Sequence, residues 1–314
     1  MARPLAVLTG ATGFLGGPLA HALSGRGYDL RVLARADRLP AWDGAPPDTV
    51  IGRLGDSDAL ERLVKGAALV VHAAGLIKAP SRKAYFQVNA EGARGLAAAA
   101  ARYAPDARFL MVSSLSAREP GLSAYAASKA AGEATVREVL PPGRLTVVRP
   151  PAVYGPGDRE TLALFKAAAR LPALPLPGGP DARVALIHVA DAAAQIAAIA
   201  GEPPRGAVYT LADARPLGYG WREIMTAAAL ALGRRPALFR VPRAAVLAAG
   251  GLGSVLGRLP GAAPMASLGK ARELLHPDWG VQSHELWPSA PPSRFDLASG
   301  FADAVSWYRQ AGWL

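Results

Sequence analysis

The chain has 314 residues, 51% of them hydrophobic, and a formal net charge of +11; this is enough for one large domain, or a main domain with a smaller one, around a packed core. It contains no cysteine, which excludes disulfides and thiolate chemistry, and its five histidines (His21, His72, His188, His276, His284) show no paired metal-ligand spacing, so no metal site is expected. The charge excess is arginine scattered among alanine, glycine and proline, without clustered aromatics or a nucleic-acid motif, so no nucleic-acid partner is expected. With no basic leader and no apolar run of about eighteen residues, the expected location is cytoplasmic.

The first element, Pro4 to Thr9, is short, continuously apolar and rich in Leu and Val, as a strand buried on both faces should be. It passes through Gly10, Gly13 and Gly16 into a helical repeat over Phe14 to Leu23. A strand that turns this tightly into a helix through glycines brings backbone N–H groups to the helix start, where they suit a pyrophosphate. The second strand, Leu30 to Ala34, ends in "VLARADR", where NAD-selective nucleotide folds usually place an acid. Arg35 stands there, with Arg38 nearby, and a guanidinium pairs with a 2′-phosphate, so NADP is the expected cofactor with NAD left open.

Further strands are predicted at Val50 to Gly52, Leu69 to His72, Arg108 to Ser113 and Leu145 to Arg149, separated by helices over Asp58 to Lys65, Tyr85 to Tyr103 and Tyr125 to Val139. This alternation predicts an α/β fold, a Rossmann doubly wound parallel sheet with a smaller C-terminal substrate region. Residues 1–155 read as the dinucleotide-binding core. Residues 183–212 return to it through "VALIHV" and "ADAAAQIAAIA", while 156–182 and 213–314 form the smaller region, with "LPALPLPGGPDAR" read as loop. From Ile224 to Arg272 there is no acid, and seven basic residues surround "AAVLAAGGLGSVLG": Arg234, Arg235, Arg240, Arg243, Arg258, Lys270 and Arg272. That segment suits a core-facing helix, the wall of an apolar substrate pocket, or a surface resting on anionic lipid.

The chemistry is expected in "RFLMVSSLSAREPGLSAYAASKAAGE", where a strand ending near Ser113 and Ser114 leads to a helix with Tyr125 and Lys129 on one face at i and i+4. A phenol titrates near 10; an ammonium one turn away, aided by a cationic nicotinamide, would lower that value and make Tyr125 usable as an acid or base. Ser114 is placed to orient a substrate oxygen.

These motifs resemble an extended short-chain dehydrogenase/reductase of the NAD-dependent epimerase/dehydratase-like branch. "TGATGFLG" resembles its GxxGxxG start, "YAASK" its YxxxK, "VVHAAG" its strand-four signature, and "RPPAVYGPGD" and "IHVADAA" its later landmarks, over roughly residues 4 to 212. The resemblance implies that Tyr125 is the general acid/base, that Lys129 holds the nicotinamide ribose and tunes Tyr125, and that Ser114 polarises the carbonyl. Asn89 in "FQVNAEG" matches the asparagine that supports the lysine through water, unless it only caps or locks a helix. The implied cofactor site comprises Gly10, Thr12, Gly13, Phe14, Leu15, Gly16, Arg35, Arg38, Asp56 (towards the adenine), Ala73, Ala74, Gly75, Tyr125, Lys129, Pro150 and Val153.

Two departures shape the expected reaction. Only eleven positions separate Ser114 from Tyr125, fewer than is usual in the extended branch, and Ala152 stands where sugar-nucleotide epimerases carry an asparagine. Both point to the dihydroflavonol-reductase and 3β-hydroxysteroid-dehydrogenase-like members, which move a hydride between nicotinamide and a ketone or alcohol on a hydrophobic steroid-, flavonoid- or lipid-like substrate. Two alternatives stay open: a nucleotide-sugar epimerase or dehydratase with tightly bound NAD, using Arg159, Arg222 or Arg294 on the diphosphate, and a non-catalytic cofactor-bound scaffold. A peripheral membrane contact and a homodimer are the other partners considered.

Overall fold

In the computed structural model, which describes residues 3–35, 46–204, 206–256 and 267–314, the short apolar runs become a parallel sheet between helical layers. The nucleotide-binding half begins β1 (Leu5–Thr9), α1 (Gly16–Gly25), β2 (Asp29–Ala34), β3 (Asp48–Ile51), α2 (Ser57–Val64), β4 (Leu69–His72). It continues with α3 (Arg82–Phe86), α4 (Gly92–Tyr103), β5 (Arg108–Val112), α5 (Ala124–Val139) and β6 (Leu145–Arg149). After these come β7 (Ala152–Tyr154), α6 (Leu162–Arg170), β8 (Ala173–Leu176), β9 (Arg183–Val184), β10 (Leu186–His188), α7 (Val189–Gly201) and β11 (Val208–Thr210). The chain ends with α8 (Trp221–Ala231), β12 (Ala237–Arg240), α9 (Arg243–Leu256), α10 (Leu268–Leu274), β13 (Asp278–Trp279) and α11 (Leu297–Gln310).

The main sheet runs β11-β6-β5-β4-β1-β2-β3, every neighbour parallel. Side chains alternate along each strand, so Ala6 and Leu8 of β1 enter the layer shared with α1 and α7 while Val7 enters the layer of α2, α4 and α5. Both layers are lined by buried apolar side chains, which is why these strands read as unbroken apolar runs. The winding reverses between β1 and β4, and that reversal opens a crevice at their carboxyl ends, where a doubly wound sheet takes its ligand.

A second core lies beyond the sheet, where Tyr154, Phe165, Phe301 and Tyr308 pack edge to face or tilted with centroids 5.0 to 5.6 Å apart. Rings of this size, fully buried, each contribute roughly 1.5–3 kcal/mol. Two expectations need correction here. The proline-rich stretch is not all loop: Ala173–Leu176 is a strand paired in parallel with Ala237–Arg240, and the prolines are accommodated because it forms only a two-stranded sheet. The helix expected from Tyr85 to Tyr103 is interrupted by a π-helical turn over Gln87–Glu91, a local widening that apolar periodicity does not register. Val208–Thr210, a strand of three residues beyond those expected, completes the main sheet.

Candidate active site

The crevice is built from the ends of β1, β4 and β5 and the first turns of α1 and α5. At the end of β1, Gly10 has a φ of +83°, and a Cβ there would lie 2.7 Å from the Ala74 nitrogen, so only glycine lets the two strand ends meet. Thr9 Oγ1 lies 2.8 Å from His72 Nδ1 and accepts from the Ala74 N–H at 3.3 Å, which holds Ala73 and Ala74 against the glycine turn. Burial keeps His72 neutral, its pKa down at about 3.

Three features fit a dinucleotide. Helix α1 starts at Leu15 with no side-chain cap and no acid in its first turn, whereas α2, α5 and α11 are capped by Asp56, Ser123 and Asp296. Thr12 and Gly13 are exposed, and a Cβ on Gly13 would meet nothing within 4 Å but the Gly10 carbonyl oxygen at 3.2 Å. Gly75 is exposed too, and the position of its missing Cβ is 3.2 Å from Asn89 Oδ1 and 3.7 Å from Lys129 Nζ, leaving a notch that any side chain would fill. Arg35 is exposed immediately after β2; Arg38 lies outside the described residues. Asp56, expected towards the adenine, caps α2: one carboxylate oxygen accepts from the Ala59 N–H at 3.1 Å. Pro150 is buried and its carbonyl accepts from Leu115 N–H at 2.8 Å, while Val153 packs on the core beneath α1.

The reacting groups sit where β5 meets α5. Lys129 is buried and its Nζ donates to the Val112 carbonyl at 2.9 Å, which aims the ammonium at the strand end beside Ser113 and Ser114. Ser114 caps the turn Leu115–Arg118, its Oγ accepting from Ser116 N–H at 3.2 Å. Burial pushes the Tyr125 phenol up to about 12, and interaction with the Ser114 hydroxyl opposes that rise without cancelling it. The lowering expected of Lys129 includes the charge of a bound nicotinamide; in the protein alone desolvation dominates, and it also brings Lys129 down to about 8. Asn89, projected by the π turn, accepts from Leu76 N–H at 2.7 Å and donates to the Leu76 carbonyl at 3.0 Å and to Ser128 Oγ at 2.9 Å. Its amide thus ties the loop after β4 to α5.

Several site residues carry no signal in the sequence. The Tyr85 ring tilts against that of Tyr125 with centroids 6.1 Å apart. Glu273 of α10 accepts from the Ser123 hydroxyl at the start of α5, and a Cβ on Gly269 would be 2.8 Å from Ser123 Cβ, so α10 covers the entrance of the tyrosine helix. Glu133, one turn beyond Lys129, is buried and accepts from Ser113 Oγ at 2.6 Å and twice from Arg149, each at 2.8 Å. These pairs join separate elements of the chain, and only the fold brings them together. Among the described residues no cluster of His, Asp or Glu could hold a metal.

The model of the NAD dependent epimerase/dehydratase family matches residues 6–212. The chain is 49% identical over 314 residues to the ceramide reductase of Caulobacter vibrioides, covering 100% of this chain and 97% of that one. It is 30% identical over 273 residues, 80% of each chain, to a 4-hydroxy-2-methyl-3-oxo-4-farnesyl-3,4-dihydroquinoline-1-oxide ketoreductase of Stigmatella aurantiaca. Among solved structures, the Thermus thermophilus UDP-glucose 4-epimerase complex with NAD shares the fold at a TM-score of 0.70 and 20% identity, covering 98% of this chain and 99% of that one. With the glycine turn, the reversed sheet and this match, the chain belongs to the NAD-dependent epimerase/dehydratase family and is an enzyme of the extended short-chain dehydrogenase/reductase type.

Proposed function

We propose that the enzyme reduces a ketone on a long apolar, ceramide-like lipid, with NADP as the preferred carrier. The observation that carries this reading is the meeting of Tyr125, Ser114 and Lys129 where β5 meets α5: the Tyr125 phenol, protonated at neutral pH, has the Ser114 hydroxyl beside it, so a carbonyl oxygen placed there meets two hydroxyl donors. When bound, a reduced nicotinamide supplies the hydride to the carbonyl carbon. Tyr125 gives its hydroxyl proton to the oxygen as the alcohol forms, Ser114 orients that oxygen, and Lys129, steadied by the Val112 carbonyl, faces the notch at Gly75 where a ribose would be held.

The substrate class draws support from three sides. The relatives of highest coverage are named for a ceramide and a farnesyl-bearing ketone. Ala152 is exposed, with no amide to hold a sugar. Two arginines considered for a sugar diphosphate are engaged elsewhere, Arg294 Nε with Asp191 at 3.4 Å and Arg159 over the Trp313 ring at 5.1 Å. For the carrier, the exposed Arg35 after β2 favours a 2′-phosphate over the bare ribose.

The test is a homologous series of ketones with each reduced carrier. The specificity constant should rise with chain length, since each buried methylene adds about 0.8 kcal/mol, until the pocket is full. Tyr125→Phe should lower turnover by about 100-fold or more with cofactor affinity retained. Conversion of nucleotide sugars, with no gain from chain length, would overturn the lipid reading; equal or tighter NAD binding by the apoprotein would overturn the carrier assignment.

A further inference from the structure

Helix α9 presents an apolar stripe outward. Ala244, Ala245, Ala248, Ala249 and Leu252 follow one another at i, i+1, i+4, i+5 and i+8, and all are exposed, Leu252 by 62%. The other side of the helix is fastened to α10: a Cβ on Gly250 would be 2.6 Å from Ala271 Cβ, and Ser254 Oγ accepts from the Leu268 N–H at 2.8 Å. Among the described residues, one side of α9 therefore packs inward on α10 while the stripe faces outward.

The charges around it are one-sided. Phe239, 51% exposed, is followed by exposed Arg240, and Arg243 opens the helix. Arg240 and Arg243 have no hydrogen-bond or ion-pair partner among the described residues, although exposed arginines elsewhere do, as in Arg31–Asp48 and Arg215–Glu223. No acid occurs between Ile224 and Arg272 to neutralise them. An exposed apolar face flanked by cations free to meet phosphates complements one kind of surface, a bilayer with anionic headgroups.

We propose that the α9 face, with Phe239, Arg240 and Arg243, docks the enzyme on anionic membranes. The alanines and Leu252 enter the boundary between headgroups and acyl chains, Phe239 adds an aromatic anchor, and the two guanidinium groups meet lipid phosphates. The helix lies on the bilayer, because no helix among the described residues is long and apolar enough to cross it. Since α9 packs on α10, and α10 meets the start of α5, the docked face is one helix removed from Tyr125. Docking goes beyond the reductase reading and does not depend on it.

Co-sedimentation of the full chain with vesicles of phosphatidylcholine alone, and of phosphatidylcholine mixed with phosphatidylglycerol, tests the proposal. Binding is expected to the mixed vesicles only and to weaken with salt. Arg240→Ala and Arg243→Ala should each weaken it by about fivefold, and Leu252→Glu or Ala248→Glu should abolish it. Turnover of a soluble short-chain ketone should be unchanged in all four variants, which separates lost docking from misfolding; should wild type fail to turn over any ketone, the reductase reading falls while the vesicle result is still read, with circular dichroism reporting the fold. The proposal is overturned if the protein ignores both vesicles, binds them equally, or binds as wild type does in the four variants. It is also overturned if Leu252→Glu instead breaks a self-association or a protein complex formed without lipid.

Discussion

Lys129 holds a charge where the surroundings resist one. Its Nζ donates to the Val112 carbonyl, and burial brings its pKa from 10.5 to about 8, while the Glu133 carboxylate only partly restores it. The folded apoprotein thus binds this proton less tightly than the unfolded chain. Below about pH 8 both states are protonated and the buried charge costs stability; between about 8 and 10.5 the folded state sheds the proton first and stability rises. Compared with Lys129→Met, the wild-type apoprotein should gain roughly 3 kcal/mol of unfolding free energy across that interval, measured by urea denaturation at several pH values. A flat difference would mean that water reaches the ammonium.

At the scale of single elements, α1 and α5 are held by different means. Helix α1 meets the glycine turn without clearance: a Cβ on Gly16 would sit 1.8 Å from the Gly10 carbonyl oxygen, whereas one on Gly17 would meet nothing within 4 Å. Gly16→Ala should therefore abolish cofactor binding or folding, and Gly17→Ala should stabilise the apoprotein by about 0.5–1 kcal/mol, as read from thermal unfolding. Helix α5 is anchored by charge. Glu133 ties it to Ser113 after β5 and to Arg149 at the end of β6, so its removal strands a partly buried guanidinium. Glu133→Ala should cost on the order of 3 kcal/mol, and the double change Glu133→Leu with Arg149→Met should cost less than the single one. A double variant weaker than Glu133→Ala would show that the pair contributes more than its own desolvation.

For the molecule as a whole, the family-matched portion and the remainder share packed contacts. The His188 ring tilts against Phe295 with centroids 3.9 Å apart, and its Nε2 lies 3.2 Å from Asp303; Tyr308 donates to the Asp158 carbonyl at 2.6 Å; Gly300 lies so close to Tyr154 that a Cβ would be 2.2 Å from its hydroxyl. A chain cut after Ala212 leaves Tyr154 and Phe165 without the helix that covers them. Expressed alone, residues 1–212 should be insoluble or lack a near-ultraviolet dichroism signal, and co-expression with residues 213–314 should restore both. A soluble, cooperatively unfolding 1–212 fragment would refute this.

What could be read from the sequence is what short-range pattern encodes. The strands at Leu69–His72 and Leu145–Arg149 lie where their apolar runs placed them, since a strand buried on both faces leaves no choice of residue. The glycine turn and the positions of Tyr125 and Lys129 on one helix were legible for the same reason: each is a local geometry that demands particular residues. Tertiary structure alone decided the rest. It set the upward direction of the phenol's shift, because desolvation depends on everything packed around Tyr125. It brought Glu273 to Ser123 across 150 residues and turned the apolar stripe of α9 outward, because which side of a helix is covered depends on what folds against it.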